Sequence, residues 1–328
     1  MKVLVAYDGS RCSEAALDDL VRAGLPDFCE LLVISVSEVW LPPPTSNGNG
    51  NGGSTKVKLG TCYERKIPEH YEHDRKVVAE AEAFANHAKQ RLQLMFPGWQ
   101  VKSEATYGSP AREILTKADE FKPDLIVVGS HGRSAVGRFF LGSISQKVLT
   151  EAHCSVRISR GRIDVDPAPA RLVIGFDGSQ GAHAAIEAVV ARTWSNGSEI
   201  RLVVATEEIT SSAIGRFVPP IADVVKEINQ NEREWIEKLA VDALSTLRSN
   251  DLSATLRLHS GNPKHVLIDE AERWNADCIL VGANSLAGRV ERFLLGSTSA
   301  AVAARAHCTV EVVRKQSREN PRSFSRIS

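Results

Sequence analysis

Val3-Leu4-Val5-Ala6-Tyr7-Asp8-Gly9-Ser10 and Leu172-Val173-Ile174-Gly175-Phe176-Asp177-Gly178-Ser179 are one pattern written twice. Each is a short apolar run closed by Asp-Gly-Ser. An unbroken apolar run of this length reads as a strand buried on both faces, the habit of parallel sheets. Ser10 can cap a helix that follows, where Ala16, Leu17, Leu20 and Val21 recur at helical spacing. The repetition continues outward from these strands in the same order. Gly108-Ser109-Pro110 matches Gly261-Asn262-Pro263, and Asp124 to Gly129 matches Asp277 to Gly282. Arg138 to Ser143 matches Arg292 to Ser297, and Ala152-His153-Cys154 matches Ala306-His307-Cys308. Ordered matches at near-constant spacing mean two copies of one domain.

Each copy alternates strands with helices. In the first, strands are expected at 2–7, 31–36, 100–107, 125–128 and 156–158. Val77, Ala81, Phe84, Ala88 and Leu92 mark one face of a long helix, Pro110 opens another, and a last helix begins near Ser143. The second copy repeats this, with strands near 172–176, 200–205, 253–258, 278–281 and 309–313 and a long helix near 222–247. The fold class is therefore α/β, with two tandem open parallel sheets of Rossmann-like type and helices on both faces. The expected boundaries are domain 1 at 1–160, a linker at 161–170, domain 2 at 171–314 and a disordered tail at 315–328. The stretch from Leu41 to Thr55 is rich in proline, then asparagine and glycine, so a flexible insert is expected at about 41–60.

Composition narrows the function classes. The chain has 328 residues, 43% apolar and 24% charged, with 40 basic and 40 acidic side chains. Such a balance provides no global positive field for a nucleic-acid backbone or an anionic membrane. No apolar run approaches the roughly 20 residues that span a bilayer. The opening Met-Lys before Val3 is too short for a signal peptide, and a cytoplasmic location is expected. Six scattered cysteines without a CxxC read as reduced, mostly buried thiols.

Chemistry is concentrated in the segment Gly129-Ser130-His131-Gly132-Arg133-Ser134-Ala135-Val136-Gly137-Arg138-Phe139-Phe140-Leu141-Gly142-Ser143. Its pattern is G-x2-G-x9-G-S after a strand. Glycines let backbone approach a ligand closely, and free amides in such a loop form an anion nest. Gly142-Ser143 then starts a helix, whose unpaired amides and positive dipole end favour phosphate. Ser143 can cap that helix or bond a phosphate oxygen. Asp8, ending the first strand, is placed to accept hydrogen bonds from ribose hydroxyls. Asp-Gly-Ser is also a common turn, and glycines after strands often serve only the turn. The joint occurrence of both motifs on strand ends, and their duplication, favours the ligand reading.

The Asp8 turn, the Gly108-Ser109-Pro110 turn and the Gly129–Ser143 loop together resemble the universal stress protein family, in its ATP-binding branch and tandem two-domain form. The resemblance covers both copies outside the insert, linker and tail. It implies a five-stranded parallel sheet in each copy, adenine-nucleotide binding, and pairing of domains through the last strand. Carried onto this sequence, it implies that Asp8 contacts ribose and the main chain at Val36 contacts adenine. Gly129, Gly132, Gly142 and the Ser143 hydroxyl would line the phosphate path. Magnesium or manganese would arrive with the triphosphate rather than through a protein cage. The second copy keeps Asp177, Gly282, Gly296 and Ser297, but Ser285 stands where the second glycine belongs and the loop is one residue longer. Nucleotide binding there is left open.

Three functional readings remain open. The first is an ATP-binding stress or regulatory protein, occupancy biasing its conformation or its choice of a protein partner still unidentified. The second is a slow ATP hydrolase, although no paired general acid and base, Walker loop or HxGH turn is present. The third is a nucleotide-free scaffold, two fused copies forming a pseudo-dimer, with further association into a homodimer left open. Arg133 and Arg138 read as solvated arginines that could also approach phosphates, and His131 lies within reach of one. His70, His73 and His87 do not form a convincing metal set.

Overall fold

The computed structural model of the chain describes residues 1–38, 68–132, 141–160, 169–206, 219–283 and 295–315. The 41–60 insert, most of the linker and tail, and Arg133, Arg138 and Ser285 lie outside the described residues. The first half runs β1 (Lys2–Ala6), α1 (Arg11–Asp19), β2 (Glu30–Ser37), α2 (Pro68–Met95) and β3 (Gln100–Tyr107). It continues with α3 (Pro110–Phe121), β4 (Leu125–Gly129), α4 (Ser143–Glu151) and β5 (Ser155–Ser159). The second half runs β6 (Arg171–Gly175), α5 (Gln180–Val190), β7 (Glu199–Thr206), α6 (Pro219–Ser249) and β8 (Ser253–Ser260). It closes with α7 (Pro263–Trp274), β9 (Cys278–Gly282), α8 (Ser297–Arg305) and β10 (Thr309–Val313).

Local chemistry explains the element starts. Ser10 Oγ accepts the Ser13 amide at 3.2 Å, and Ser179 Oγ accepts the Ala182 amide at 3.1 Å, so each Asp-Gly-Ser turn ends in a capped helix. Gly9 and Gly178 take φ of 73° and 75°, the left-handed backbone that the turn requires. Pro110 and Pro263 open α3 and α7.

The two five-strand sets join as one ten-stranded sheet in the order β3-β2-β1-β4-β5-β10-β9-β6-β7-β8. Neighbours are parallel within each half, and β5 and β10 meet antiparallel at the seam. Alternation along the strands sorts side chains into cores. Leu4, Ile126, Val156, Ile158, Val310, Val312 and Ile279 belong to a single core that crosses the seam on one face. On the other face Val3, Val5 and Leu125 pack in a first-half core, and Leu172, Ile174 and Leu280 in a separate second-half core.

Charge sits between those two separate cores. Arg157 of β5 and Glu311 of β10 are both 0% exposed and bonded at 3.0 Å. Arg157 also donates to Asp19 through Nε at 2.6 Å and Nη2 at 3.1 Å. Arg192, just past α5, donates to both Glu311 oxygens. Burial alone would raise the Glu311 carboxyl, but Arg192 and Arg157 outweigh it and hold its pKa below the usual value. Two further arginines clasp the halves. Arg160 donates to carbonyls of Ala303, Ala304 and Ala306 at the end of α8, and Arg314 to those of Leu149 and Cys154 at the end of α4.

Two consequences are measurable. A depressed carboxyl stabilises fully above the unfolded pKa of about 4.3 and loses its contribution as pH falls through the lower folded value. Thermal melts from pH 7 to 3 should therefore fall steeply below about pH 4, less so for Glu311→Gln, which should start from a lower melting temperature. Burial pushes the Cys154 thiol up to about 12 and raises that of Cys278 further. Mass mapping after iodoacetamide at pH 8 should find both unmodified in native protein and both alkylated in denaturant.

Candidate functional site

Beyond the C-terminal ends of β1, β2 and β4 lies a cleft of about 390 Å³. β1 stands between β2 and β4, so the crevice falls where strand order reverses, the favoured ligand position in open α/β sheets. Of the residues expected from sequence, Asp8, Val36, Gly129 and Gly132 line it. Ile34, Val36, Val128, Pro110 and Ile114 make an apolar side, and Val77, Ala81 and Phe84 of α2 form another wall. Ser37 Oγ donates to the Val77 carbonyl at 3.1 Å and ties that wall to β2.

Asp8 is held by its own turn: Oδ1 accepts the Ser10 amide at 3.0 Å. A Cβ built on Gly132 would stand 3.1 Å from Asp8 Oδ2, with no other heavy atom of the described residues within 4 Å. Gly132 thus lies against the Asp8 carboxylate, whose outer oxygen would have to give by a few tenths of an ångström to admit a Cβ. Gly129 has a different reason for being glycine. A Cβ there would meet the Cys12 carbonyl carbon at 2.7 Å and the Ser13 nitrogen at 2.9 Å, because the start of α1 crosses the end of β4.

The start of α4 departs from the sequence expectation in detail. Gly142, not Ser143, is the N-cap residue, and its amide is already bonded to the Ser130 carbonyl at 2.8 Å. Ser143 is the exposed first helical residue, and α4 lines the cleft through Ile144 and Ser145. Ser145 was not anticipated. Its Oγ donates to the Gly129 carbonyl at 2.6 Å and anchors the helix start to β4. The signal was present in the repeat, since Ser299 does the same to the Gly282 carbonyl at 2.7 Å. The remaining amides of the first turn have no partner inside the helix.

His131 sits at the cleft with Nδ1 3.1 Å from Ser130 Oγ. Burial first, and the Arg160 charge second, lower its pKa, so the ring is neutral at pH 7. Its Nε2 is buried and has no hydrogen-bond partner among the described residues. The ionisable acids lining the cleft are Asp8, Glu38 and Glu80, and no lysine or arginine lines it among the described residues. Among those residues no group of three or more His, Cys, Asp or Glu could hold a metal. No described helix is long and apolar enough to cross a membrane.

The second half has a cleft at the equivalent place, of about 130 Å³. Asp177, Gly282, Gly296 and Ser297 all line it, with Thr298 and Ser299. Its floor is tighter. A Cβ on Gly282 would stand 2.0 Å from the Gly181 carbonyl carbon, and one on Gly181 would stand 2.5 Å from the Ala283 oxygen. Gly181 occupies the position of Cys12, four residues after the shared aspartate.

The sequence pattern of the Universal stress protein family matches residues 1–160 and 170–314. The chain belongs to the universal stress protein family. The universal stress protein YxiE of Bacillus subtilis is 34% identical over 161 residues, covering 48% of this chain and 98% of its own. A universal stress protein of Mycolicibacterium smegmatis is 26% identical over 316 residues, 95% of this chain and 96% of its own, so the tandem form recurs at full length. A crystal structure of a universal stress protein from Archaeoglobus fulgidus superposes with a TM-score of 0.58 at 21% identity, covering 96% of this chain and 97% of that one. That likeness is one of fold.

The different environments of the two loop glycines are separable by substitution. Gly129→Ala should lose about 1–3 kcal/mol of stability through overpacking against the α1 backbone. Gly132→Ala should melt within a degree or two of the parent, on the order of a surface change. Equal melting temperatures for the two variants would contradict the crossing geometry.

Proposed function

We propose that the first half binds an adenine nucleotide, ATP by the pattern of its loop, and that the chain is a nucleotide-dependent regulatory universal stress protein rather than an efficient enzyme. The observation that carries the reading is the cleft itself. Its 390 Å³ lies in the range of about 300–1,000 Å³ usual for small-molecule sites, and an apolar side faces an acidic turn across it. The apolar residues around Val36 suit a base, with the Val36 main chain as its hydrogen-bonding edge. Asp8 suits the ribose hydroxyls. Gly132 and the first-turn amides of α4 suit the phosphates, with Ser143 at the helix mouth. The acids lining the cleft make a divalent ion on the triphosphate, magnesium or manganese, a natural accompaniment.

The Gly142 amide, being bonded to Ser130, is excluded from this set of donors. The 130 Å³ of the second cleft is below the usual range, so Asp177, Gly282, Gly296 and Ser297 form an altered site, and one nucleotide per chain is expected.

Denaturing the purified protein and identifying released nucleotide by mass spectrometry tests this directly. One adenine nucleotide per chain should be found, lost with Gly132→Val and retained with Gly296→Val. In the emptied protein, ATP with magnesium at a hundred times Kd should add about 2.7 kcal/mol of stability. No released nucleotide and no thermal shift would leave the scaffold reading. Turnover that disappears in Ser143→Ala while binding persists would support the hydrolase.

A further inference from the structure

The seam of β5 with β10 is close to a two-fold pair, broken in the layer on its axis. Its register places Val310 opposite Ile158, Glu311 opposite Arg157, and Val312 opposite Val156. The repeat matches Cys154 with Cys308, so Arg157 and Glu311, three residues further on in each, are equivalent positions. Equivalent residues that face each other lie on the axis relating the two copies. The pseudo-two-fold axis therefore passes between Arg157 and Glu311.

Away from the axis most contacts of the seam strands recur on both sides, although Thr309 Oγ1 also donates to Asp19 at 2.9 Å, and beyond the strands Arg22 donates to Asp277 and the Thr193 amide to the Gly24 carbonyl. The flanking residues are Val and Ile on either side. Thr309 Oγ1 accepts the Arg160 amide at 3.3 Å, and Ser155 Oγ accepts the Arg314 amide at 3.1 Å. Arg160 reaches the Ala303 carbonyl in the last turn of α8, and Arg314 the Leu149 carbonyl in the last turn of α4. The contacts that recur on both sides would form equally well if β5 met another β5, or β10 another β10. The axis layer would not. Like-with-like pairing would set Arg157 against Arg157, or Glu311 against Glu311, at positions that are 0% exposed.

The supporting charges are asymmetric in the same sense. Asp19 serves Arg157, and its counterpart in the second half is Ala188; Arg192 serves Glu311, and its counterpart in the first half is Ala23. Asp19, Arg157, Glu311 and Arg192 thus form a buried chain of alternating sign, completed only when unlike halves meet.

We propose that this axis layer is a selectivity device: β5 accepts only a last strand carrying an acid at the axis, and β10 only one carrying a base. The fitting partner for each half is the other half, in the same chain or by reciprocal exchange with a second copy. Both like-with-like pairings are excluded by an unpaired buried charge, the repulsive element that specificity between near-identical surfaces requires. This inference stands independently of whether a nucleotide is bound.

The full chain tests it once a protease site is placed in the 161–168 linker. Nicked protein is prepared unlabelled and nitrogen-15 labelled, mixed, allowed to exchange, and read by native mass spectrometry. Only pairs of one first half with one second half should appear, including mixed-label pairs. Appreciable like-with-like pairs, or halves that separate on nicking, overturn the proposal. In the Arg157→Met, Glu311→Met chain the halves should still pair, but like-with-like species should rise towards the statistical share. Pairing that stays exclusively mixed in this chain would place selectivity elsewhere, for example in the Arg22 to Asp277 bridge of 2.7 Å, and would also overturn it. The Arg157→Gln, Glu311→Gln chain gives the same readout with polar side chains retained, should methionine prevent folding.

Discussion

Arg157 and Glu311 meet at full burial in the middle of a continuous sheet, and the tertiary arrangement is organised around satisfying them. An ion taken out of water costs several kcal/mol even after relaxation, of order 20 kcal/mol in the idealised limit, so a buried pair survives only with good geometry and further bonds. Here the further bonds come from the neighbouring helices. Asp19 ends α1 and Arg192 follows α5, so both helices on that face must lie close to the seam for the charges to be met. The opposite face needs no such device, because Val156, Ile158, Val310 and Val312 simply share one apolar core. One face of the seam provides cohesion without direction, and the other provides direction. Together they turn two five-strand sheets into one of ten.

That seam reaches the clefts through α4 and α8. Arg314 belongs to the second half, yet it donates to the Leu149 carbonyl at the end of α4, whose other end is pinned to β4 by the Ser145 bond to Gly129. Arg160 and Ser299 hold α8 in the same way. A cation at a helix C-terminus also complements the dipole whose positive end faces the cleft. The amides proposed to meet phosphate are thus oriented by a side chain from the other half. Separating the halves would remove that contact from the end of α4.

Much of this was legible in the sequence because it repeats. Apolar runs such as Val3 to Val5 specify buried parallel strands without tertiary information, and Ser10 and Ser179 cap helices as their local chemistry dictates. The cleft side of the sheet followed from strand and loop order alone. What was not legible depends on non-local distances. Gly129 reads as a phosphate-loop glycine, yet its missing Cβ is needed by the α1 backbone. Gly142 reads as an open amide, but Ser130, twelve residues earlier, claims it. The wall contributed by α2 could not be placed, because helical periodicity shows which face is buried and not what it is buried against. Arg157 and Glu311 had no distinguishing local signal, and only the antiparallel register shows that they face each other.

The same reasoning explains why two copies of one motif enclose different volumes. In the first half Cys12 lies in the first turn of the helix that crosses the end of β4, and a virtual Cβ on Gly129 would stand 2.7 Å from its backbone. In the second half that position is Gly181, and the corresponding gap closes to 2.0 Å. With no side chain at 181 the helix start settles against Gly282 and Ala283, glycine against glycine. Ser179 and Ala182, on either side of Gly181, line the smaller cleft. Keeping Asp177, Gly296 and Ser297 therefore does not preserve the space between them. A phosphate-binding pattern is a statement about which groups are present, whereas occupancy depends on how far apart the packing of neighbouring backbones holds them.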